Sequence, residues 1–248
     1  MEYIYFKNSN GKRLCGIISN PKSDSVKESG TIIIMCHGLG SNKDYIPYIT
    51  LQDKINDSGI TTFRMDLLGH GESEGEFDDL TLTETIDDIL CAKHELERRG
   101  YGNIGYIGTS FGGVGGIMVA SLEQFKFLIL ISPPTHYDIS EMVKSSIHML
   151  RELVKINKAT EKRKAHPNMR FFMDYGSYDS YDAAKKITAP VLIIHGNKDN
   201  IVPLAKSREL KKRIKGSKLK VIRDADHHYT TAQNKLVKEV MIFANKYS

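Results

Sequence analysis

The chain has 248 residues, 40% of them hydrophobic and 26% charged, with 35 Lys and Arg against 30 Asp and Glu for a formal net charge of +5. That length is ample for one large α/β domain with its own buried core, and the ordinary apolar content excludes a disordered chain. The basic excess is densest over residues 206–220, KSRELKKRIKGSKLK, where no aromatic is interleaved with the charges; the segment reads as the solvated face of a helix and turn, and no nucleic-acid partner is expected.

Cys15, Cys36 and Cys91 are odd in number and widely spaced in apolar strand-like or helix-like runs, which fits reduced thiols in the cytoplasm. The opening MEYIYFKNSN has no basic region followed by an apolar stretch. The longest apolar runs, Thr31–Cys36 and residues 127–131, are far too short to span a bilayer, so a cytoplasmic protein without a membrane span is expected.

Residues 3–6 and 14–18, on either side of Asn10-Gly11, read as an antiparallel hairpin at a sheet edge. A polar loop covers 20–30. The continuous apolar run Thr31–Cys36 has the character of a central strand covered on both faces, and it ends in His37-Gly38-Leu39-Gly40. A helix-like segment over 48–55 closes at Ser58-Gly59. A strand over 60–65 then leads to Asp66 and the loop Leu67-Leu68-Gly69-His70-Gly71-Glu72-Ser73. Thr81 and Glu84 have the spacing of a capping box, and Ile86, Ile89, Leu90, Lys93 and Leu96 recur at helical spacing until Gly100.

Ile104, Tyr106 and Ile107 make a short buried strand, and residues 114–122 a buried helix weakened by glycines. Between them stands Gly108-Thr109-Ser110-Phe111-Gly112. A serine wedged between strand and helix, with glycine two residues to either side, is the pattern of a nucleophile elbow, where a tight, strained turn pushes the hydroxyl outward. A phosphate-binding loop would need Lys-Ser or Lys-Thr where Val114 follows Gly113, and a dinucleotide fingerprint would need glycine at Ser110. Taken alone, the stretch could equally be a glycine-rich turn without chemistry.

Further strands are expected over 127–131, ending in Ser132-Pro133-Pro134, over 191–195 and over 219–222, with helices over 204–214 and 234–247. Strand and helix alternate over most of the chain, which predicts a mostly parallel sheet wrapped on both faces. The rhythm breaks between Pro133 and Ala189. There Ile139, Met142, Val143, Ile147, Leu150 and Val154 mark one face of a helix that runs into Glu161-Lys162-Arg163-Lys164, and the remainder, with Phe171, Phe172, Met173, Tyr175, Tyr178 and Tyr181, is aromatic and loop-like. Residues 134–186 read as a cap inserted over the strand ends of a single domain, 1–248; the alternative is an ordinary crossover helix with a long tail.

Ser110, His37-Gly38-Leu39, Asp199 and His227 each follow an apparent strand, and strand ends of an open parallel sheet converge on one crevice. Serine, then acid, then a late histidine is the α/β-hydrolase order. From His37-Gly38-Leu39-Gly40 through Asp66-x-x-Gly69-x-Gly71-x-Ser73 and the elbow to Ala225-Asp226-His227, the chain resembles an α/β-hydrolase of the serine-hydrolase type. It is similar to small bacterial esterases grouped with serine aminopeptidase and monoglyceride-lipase-like hydrolases, cinnamoyl (feruloyl) esterases among them. The resemblance covers nearly the whole chain and is weakest across the cap.

That resemblance implies an α/β-hydrolase fold, with a mostly parallel central sheet, helices on both faces and a small, largely helical cap. It implies Ser110 as nucleophile and Asp199 as acid, since Gly196, Asp199 and Val202-Pro203 match the family's acid loop; Asp182 and Asp224 are the competitors. The pattern small-Asp-His-x-aromatic points to His227, with Tyr229 as the aromatic and His228 as a neighbour facing elsewhere. Backbone N–H groups of Phe111, directly after the nucleophile, and of Leu39, by the resemblance, would hold an oxyanion. Leu39 interrupts the three consecutive glycines of some esterases, which favours the lipase- and peptidase-like branch.

His37 and His195 each end a strand before a glycine and read as structural loop anchors. No pair of residues has metal-ligand spacing, so neither metal nor cofactor is expected. The expected activity is hydrolysis of a small-molecule carboxylic ester with a short-to-medium aliphatic or aromatic acyl group, through an acyl-enzyme, by a monomer or homodimer. The alternatives are an aminopeptidase or acyl thioesterase on the same triad, and a non-catalytic ligand-binding protein. No acidic cluster stands out in the cap to hold an amino group; Asp174 and Asp179 keep the aminopeptidase alternative open.

Overall fold

The apolar runs of the sequence become the middle of an eight-stranded sheet in the computed structural model, which describes residues 1–21, 30–135 and 168–248. The first half of the chain contains β1 (Glu2–Lys7), β2 (Arg13–Ser19), β3 (Thr31–Cys36), α1 (Ile46–Asp57), β4 (Thr61–Met65), α2 (Leu82–Arg98) and β5 (Asn103–Thr109). The second contains α3 (Phe111–Ala120), β6 (Leu128–Ile131), α4 (Met169–Gly176), α5 (Ser180–Ala184), β7 (Val191–Gly196), α6 (Leu204–Arg213), β8 (Lys218–Ile222) and α7 (Gln233–Tyr247). The strand order is β1-β2-β4-β3-β5-β6-β7-β8. β1 and β2 form the expected hairpin at the edge, β2 runs antiparallel to β4, and every other pairing is parallel.

The alternation of β3 shows why these runs are apolar throughout. Ile32, Ile34 and Cys36 pack on one face with Ile86 and Ile89 of α2 and Val114 and Ile117 of α3. Ile33 and Met35 pack on the other with Leu51 and Ile55 of α1 and Val240 and Phe243 of α7. A strand covered on both faces has no polar side to offer.

The structure differs from the sequence expectations in three places. α3 begins at Phe111, directly after Ser110, rather than at residue 114. Its glycines let it sit flush: a Cβ on Gly115 would come within 2.6 Å of Ile89 of α2, and one on Gly116 would run into the Tyr106 ring. The stretch expected as an aromatic loop is two short helices. Asn168 Oδ1 accepts the Phe171 N–H (3.1 Å) to start α4, and Asp179 Oδ1 accepts the N–H groups of Tyr181 and Asp182 (both 3.0 Å) to start α5. The capping box of α2 closes on one side only: Thr81 Oγ1 accepts the Glu84 N–H (3.1 Å), while the Glu84 carboxylate takes the amide of Asn10 in the β1–β2 turn (3.1 Å).

Residues 22–29 of the polar loop, the helix face from Ile139 to Val154, the basic stretch Glu161-Lys162-Arg163-Lys164 and so most of the 134–186 cap lie outside the described residues. Among the described residues no helix is long and apolar enough to cross a membrane.

Candidate active site

Ser110 sits at the end of β5, near the middle of the sheet, with φ 51° and ψ −119°. A non-glycine residue there carries strain of order 1–3 kcal/mol, offset by its surroundings. The Ser110 N–H donates to the Ile131 carbonyl of β6 (2.8 Å), and the Ser110 carbonyl accepts from Gly113 (2.9 Å) to open α3. The flanking glycines are a steric requirement. A Cβ on Gly108 would lie 2.5 Å from the Gly112 carbonyl oxygen, and one on Gly112 would lie 2.5 Å from that of His37. Tyr106, wholly buried, donates its hydroxyl to the Gly112 carbonyl (2.6 Å) and fixes the turn from beneath.

The loops after β7 and β8 bring Asp199 and His227 to this serine. His227 Nε2 lies 3.1 Å from Ser110 Oγ and its Nδ1 lies 2.8 Å from Asp199 Oδ2. A carboxylate can only accept, so Nδ1 carries the proton and Nε2 is left to accept from the serine hydroxyl. Burial works to raise the pKa of Asp199, but hydrogen bonds from His195 and His227 and the N–H of Val202 outweigh it and hold the carboxyl well below the usual carboxylate range. The competing acids are elsewhere: Asp182 is exposed beside Lys185 (2.9 Å) and Asp224 beside Lys198 (2.8 Å). His228 is exposed, its ring edge-on to His227 at 5.5 Å. Tyr229, at φ 54°, turns the chain back inward, where its hydroxyl meets Ser132 Oγ at 3.0 Å.

The loop carrying Leu39 lies against the elbow, close enough that a Cβ on Gly38 would be 3.1 Å from Ser110 Cβ. Two histidines staple it to the loop after β4. His37 donates Nδ1–H to the Gly38 carbonyl (2.8 Å) and accepts the Leu67 N–H at Nε2 (3.1 Å). His70 returns the contact: it donates Nδ1–H to the Leu68 carbonyl (2.9 Å) and accepts the Gly40 N–H at Nε2 (3.1 Å). Both rings must be neutral to accept, and burial lowers both pKa values, that of His37 to about 3.

His70 was not singled out from the sequence, and the Asp66-x-x-Gly69-x-Gly71-x-Ser73 pattern served there only as a family mark. The structure supplies its physics. Asp66 accepts the N–H groups of Lys43 (2.6 Å) and Glu72 (2.9 Å), and a Cβ on Gly71, at φ 54°, would fall on the Asp66 carboxylate. Ser73 Oγ donates to the Asp66 carbonyl (2.7 Å) and accepts from Cys15 N–H of β2 (3.0 Å). The buried Lys43 ammonium lies 2.7 to 3.1 Å from Asp44, Glu72 and Asp66, which keeps it charged against the cost of burial.

On the cap side, Phe171 and Tyr175 of α4 pack on Phe111, with ring centroids 5.2 and 6.1 Å away, and the Tyr175 hydroxyl donates to the Pro134 carbonyl. Met173, of the same stretch, points to solvent. Asp174 caps α2 from outside, accepting the N–H (3.0 Å) and hydroxyl (2.5 Å) of Thr83. Among the described residues, His94, Glu97 and Glu123 bring three potential metal-ligand atoms together, but Lys93 Nζ already bridges the two carboxylates at 2.6 and 2.7 Å.

Residues 52–248 match the prolyl oligopeptidase family. An acyl transferase of Vibrio campbellii is 29% identical over 122 residues, 49% of this chain and 39% of that protein, so the chain spans about two fifths of the length of that relative. The putative esterase YitV of Bacillus subtilis is 25% identical over 210 residues, 78% of either protein. Among solved structures, Est1E of Butyrivibrio proteoclasticus with ferulic acid bound superposes with a TM-score of 0.82 at 24% identity over 98% of both chains, a likeness of fold.

Proposed function

The chain belongs to the prolyl oligopeptidase family, with an esterase-like α/β-hydrolase fold, and from that premise we propose that it is a serine hydrolase cleaving carboxylic esters through an acyl-enzyme. The observation that carries the reading is the unbroken chain from Ser110 Oγ through His227 to Asp199, at 3.1 and 2.8 Å. Ser110 Oγ attacks the ester carbonyl while His227 Nε2 takes its proton. The resulting oxyanion is held by the N–H groups of Leu39 and Phe111, the latter at the positive end of α3. His227 then protonates the leaving alkoxide. Water, deprotonated by the same imidazole, attacks the acyl-enzyme and releases the acid and free serine. Asp199 holds the imidazole in the tautomer both half-reactions need.

The substrate we propose is an uncharged ester with a short-to-medium aliphatic or an aromatic, cinnamoyl-like acyl group. The aromatic packing of Phe111, Phe171 and Tyr175 beside the serine supports an apolar acyl partner. The acids that kept an aminopeptidase open, Asp174 and Asp179, are both engaged in helix capping, which weighs against a seat for a free amino group. The Vibrio relative named an acyl transferase supports a second reading on the same intermediate, with an alcohol or thiol replacing water as acceptor.

A fluorophosphonate probe should label wild-type protein stoichiometrically at Ser110 and leave Ser110→Ala unlabelled; absence of labelling would instead support a ligand-binding protein. A panel of aryl esters of rising acyl length, hydroxycinnamate methyl esters, acyl thioesters and aminoacyl anilides then tests the substrate. The ester reading fails if kcat/KM for the anilides or thioesters exceeds that of every ester.

A further inference from the structure

Resting on that reading of Ser110, His227 and Asp199, we propose that His195 is a positioning residue for the acid: its Nε2–H shares Asp199 Oδ2 with the Nδ1–H of His227 and fixes both the orientation and the basicity of that carboxylate. His195 lies in β7 and is fully buried. Its Nε2 is 2.9 Å from the Val202 carbonyl oxygen and 3.2 Å from Asp199 Oδ2. Both groups only accept, so Nε2 carries the proton. Nδ1 faces Ser207 Oγ of α6 at 2.7 Å, and that hydroxyl donates to it. The tautomer of His195 is therefore set by a strand, a helix and a loop together.

The other oxygen of the acid, Asp199 Oδ1, accepts the N–H groups of Ile201 (3.0 Å) and Val202 (2.8 Å). Donors thus converge on both oxygens, and among the described residues Oδ2, the one His227 uses, has one further donor, His195. Without it, the described donor left on Oδ2 is His227, the ring that the carboxylate has to orient. With it, charge on Oδ2 is partly drawn away, so the partner that stabilises the developing imidazolium is rigid and less basic. Among the described residues, the titratable groups facing this carboxylate are His195 from β7 and His227, His228 and Tyr229 from the loop before α7. Of these, His195 alone is built into the sheet.

The test uses the full chain and p-nitrophenyl butyrate. His195→Gln places an amide N–H near the Nε2 position, whereas His195→Met cannot donate. We expect His195→Met to lower kcat about 10- to 100-fold at unchanged KM, to move the acid limb of the kcat/KM profile to higher pH, and to shift the downfield proton resonance of His227 Nδ1–H; His195→Gln should restore most of each. Ser207→Ala keeps the ring but removes the donor to Nδ1, and should shift the same three readouts by less, so it serves if the His195 variants do not fold. The proposal is overturned if folded His195→Met, or Ser207→Ala, matches wild type in kcat, acid limb and resonance, or if Gln is no better than Met. Fluorophosphonate labelling separates this from the parent reading. An unlabelled, inactive wild type sinks the hydrolase itself, while a labelled, active wild type with indifferent variants sinks only the role of His195.

Discussion

His37 and His195 occupy the same local sequence, a histidine before a glycine at the end of a parallel strand, yet they hold their loops in opposite ways. His37 accepts a backbone N–H at Nε2 and donates from Nδ1 to Gly38, its own neighbour. His195 donates from Nε2 to Val202 and towards Asp199, and accepts at Nδ1 from Ser207. The difference comes from what the tertiary structure presents: an unpaired Leu67 amide in one case, a carbonyl and a carboxylate in the other. Protonation therefore breaks the first anchor, because a charged ring has no lone pair for Leu67. The second makes its bonds to the acid loop as a donor, through Nε2–H. The loop carrying Leu39 is therefore held by an anchor that acid breaks.

The largest effects should come from the atoms these two anchors serve. Ser110→Ala should remove about 10⁴- to 10⁶-fold of kcat while leaving the protein folded, since beyond the hydroxyl that meets His227 it takes away no packing. Asp199→Asn should cost on the order of 10⁴-fold, because an amide can donate to Nδ1 and trap the wrong tautomer of His227. His227→Ala should be comparably inactive and His228→Ala close to wild type in ester turnover. If the pair came out reversed, the imidazole facing Ser110 would not be the base.

The contrast between the anchors is sharpened by the pH dependence of stability. His37 is a base whose folded pKa, about 3, lies below the 6.5 of the free side chain. Between those values the unfolded chain binds a proton that the folded chain does not. Its contribution is present above pH 6.5 and is lost as the pH falls toward 3, with a slope of about 1.4 kcal/mol per pH unit. His37→Asn, which can still donate to Gly38 but does not titrate, should flatten the urea-unfolding free energy over this window relative to wild type. Equal slopes for the two proteins would mean that His37 is already charged in the folded state and that the Leu67 bond is not made as described.

Much of this arrangement was legible because it is encoded by sterics over short spacings. Gly108 and Gly112 betray the elbow since no other residue fits against the carbonyls they meet; the choice of His227 over His228 came from the family pattern small-Asp-His-x-aromatic, neighbouring side chains diverging requiring only that one of the two face the serine. What was not legible depends on distance along the chain. His70 binds a backbone amide 30 residues away, and Asp66 acts as the hub of a loop by accepting the amides of Lys43 and Glu72, which leave no trace in residue identity, beside the Lys43 ammonium. The helices α4 and α5, of 8 and 5 residues, are too short for a hydrophobic period to register. Their capping residues Asn168 and Asp179 were the available signal, and α4 owes its place to rings packed at a tilt on Phe111 rather than to its own pattern.

The smallest expected effect bounds the comparison from outside both loops. Asp174 reaches from α4 to the first turn of α2, where it accepts the N–H and hydroxyl of Thr83 that the helix itself cannot satisfy. It does for α2 what His195 does for the acid loop, holding one element with a side chain from another, but nothing in the chain from Ser110 to Asp199 depends on it. Asp174→Ala should therefore cost about 1 kcal/mol of stability, the usual worth of a helix cap, seen as a lower urea midpoint at unchanged m-value. Ester kcat and KM should stay near wild type, as should the ratio of ester to aminoacyl anilide turnover. Were Asp174 instead the seat of a substrate ammonium, the variant would lose anilide turnover selectively through KM, with ester turnover spared. That outcome would put the peptidase alternative ahead of the ester reading, and it would show that the Thr83 contact yields when substrate arrives.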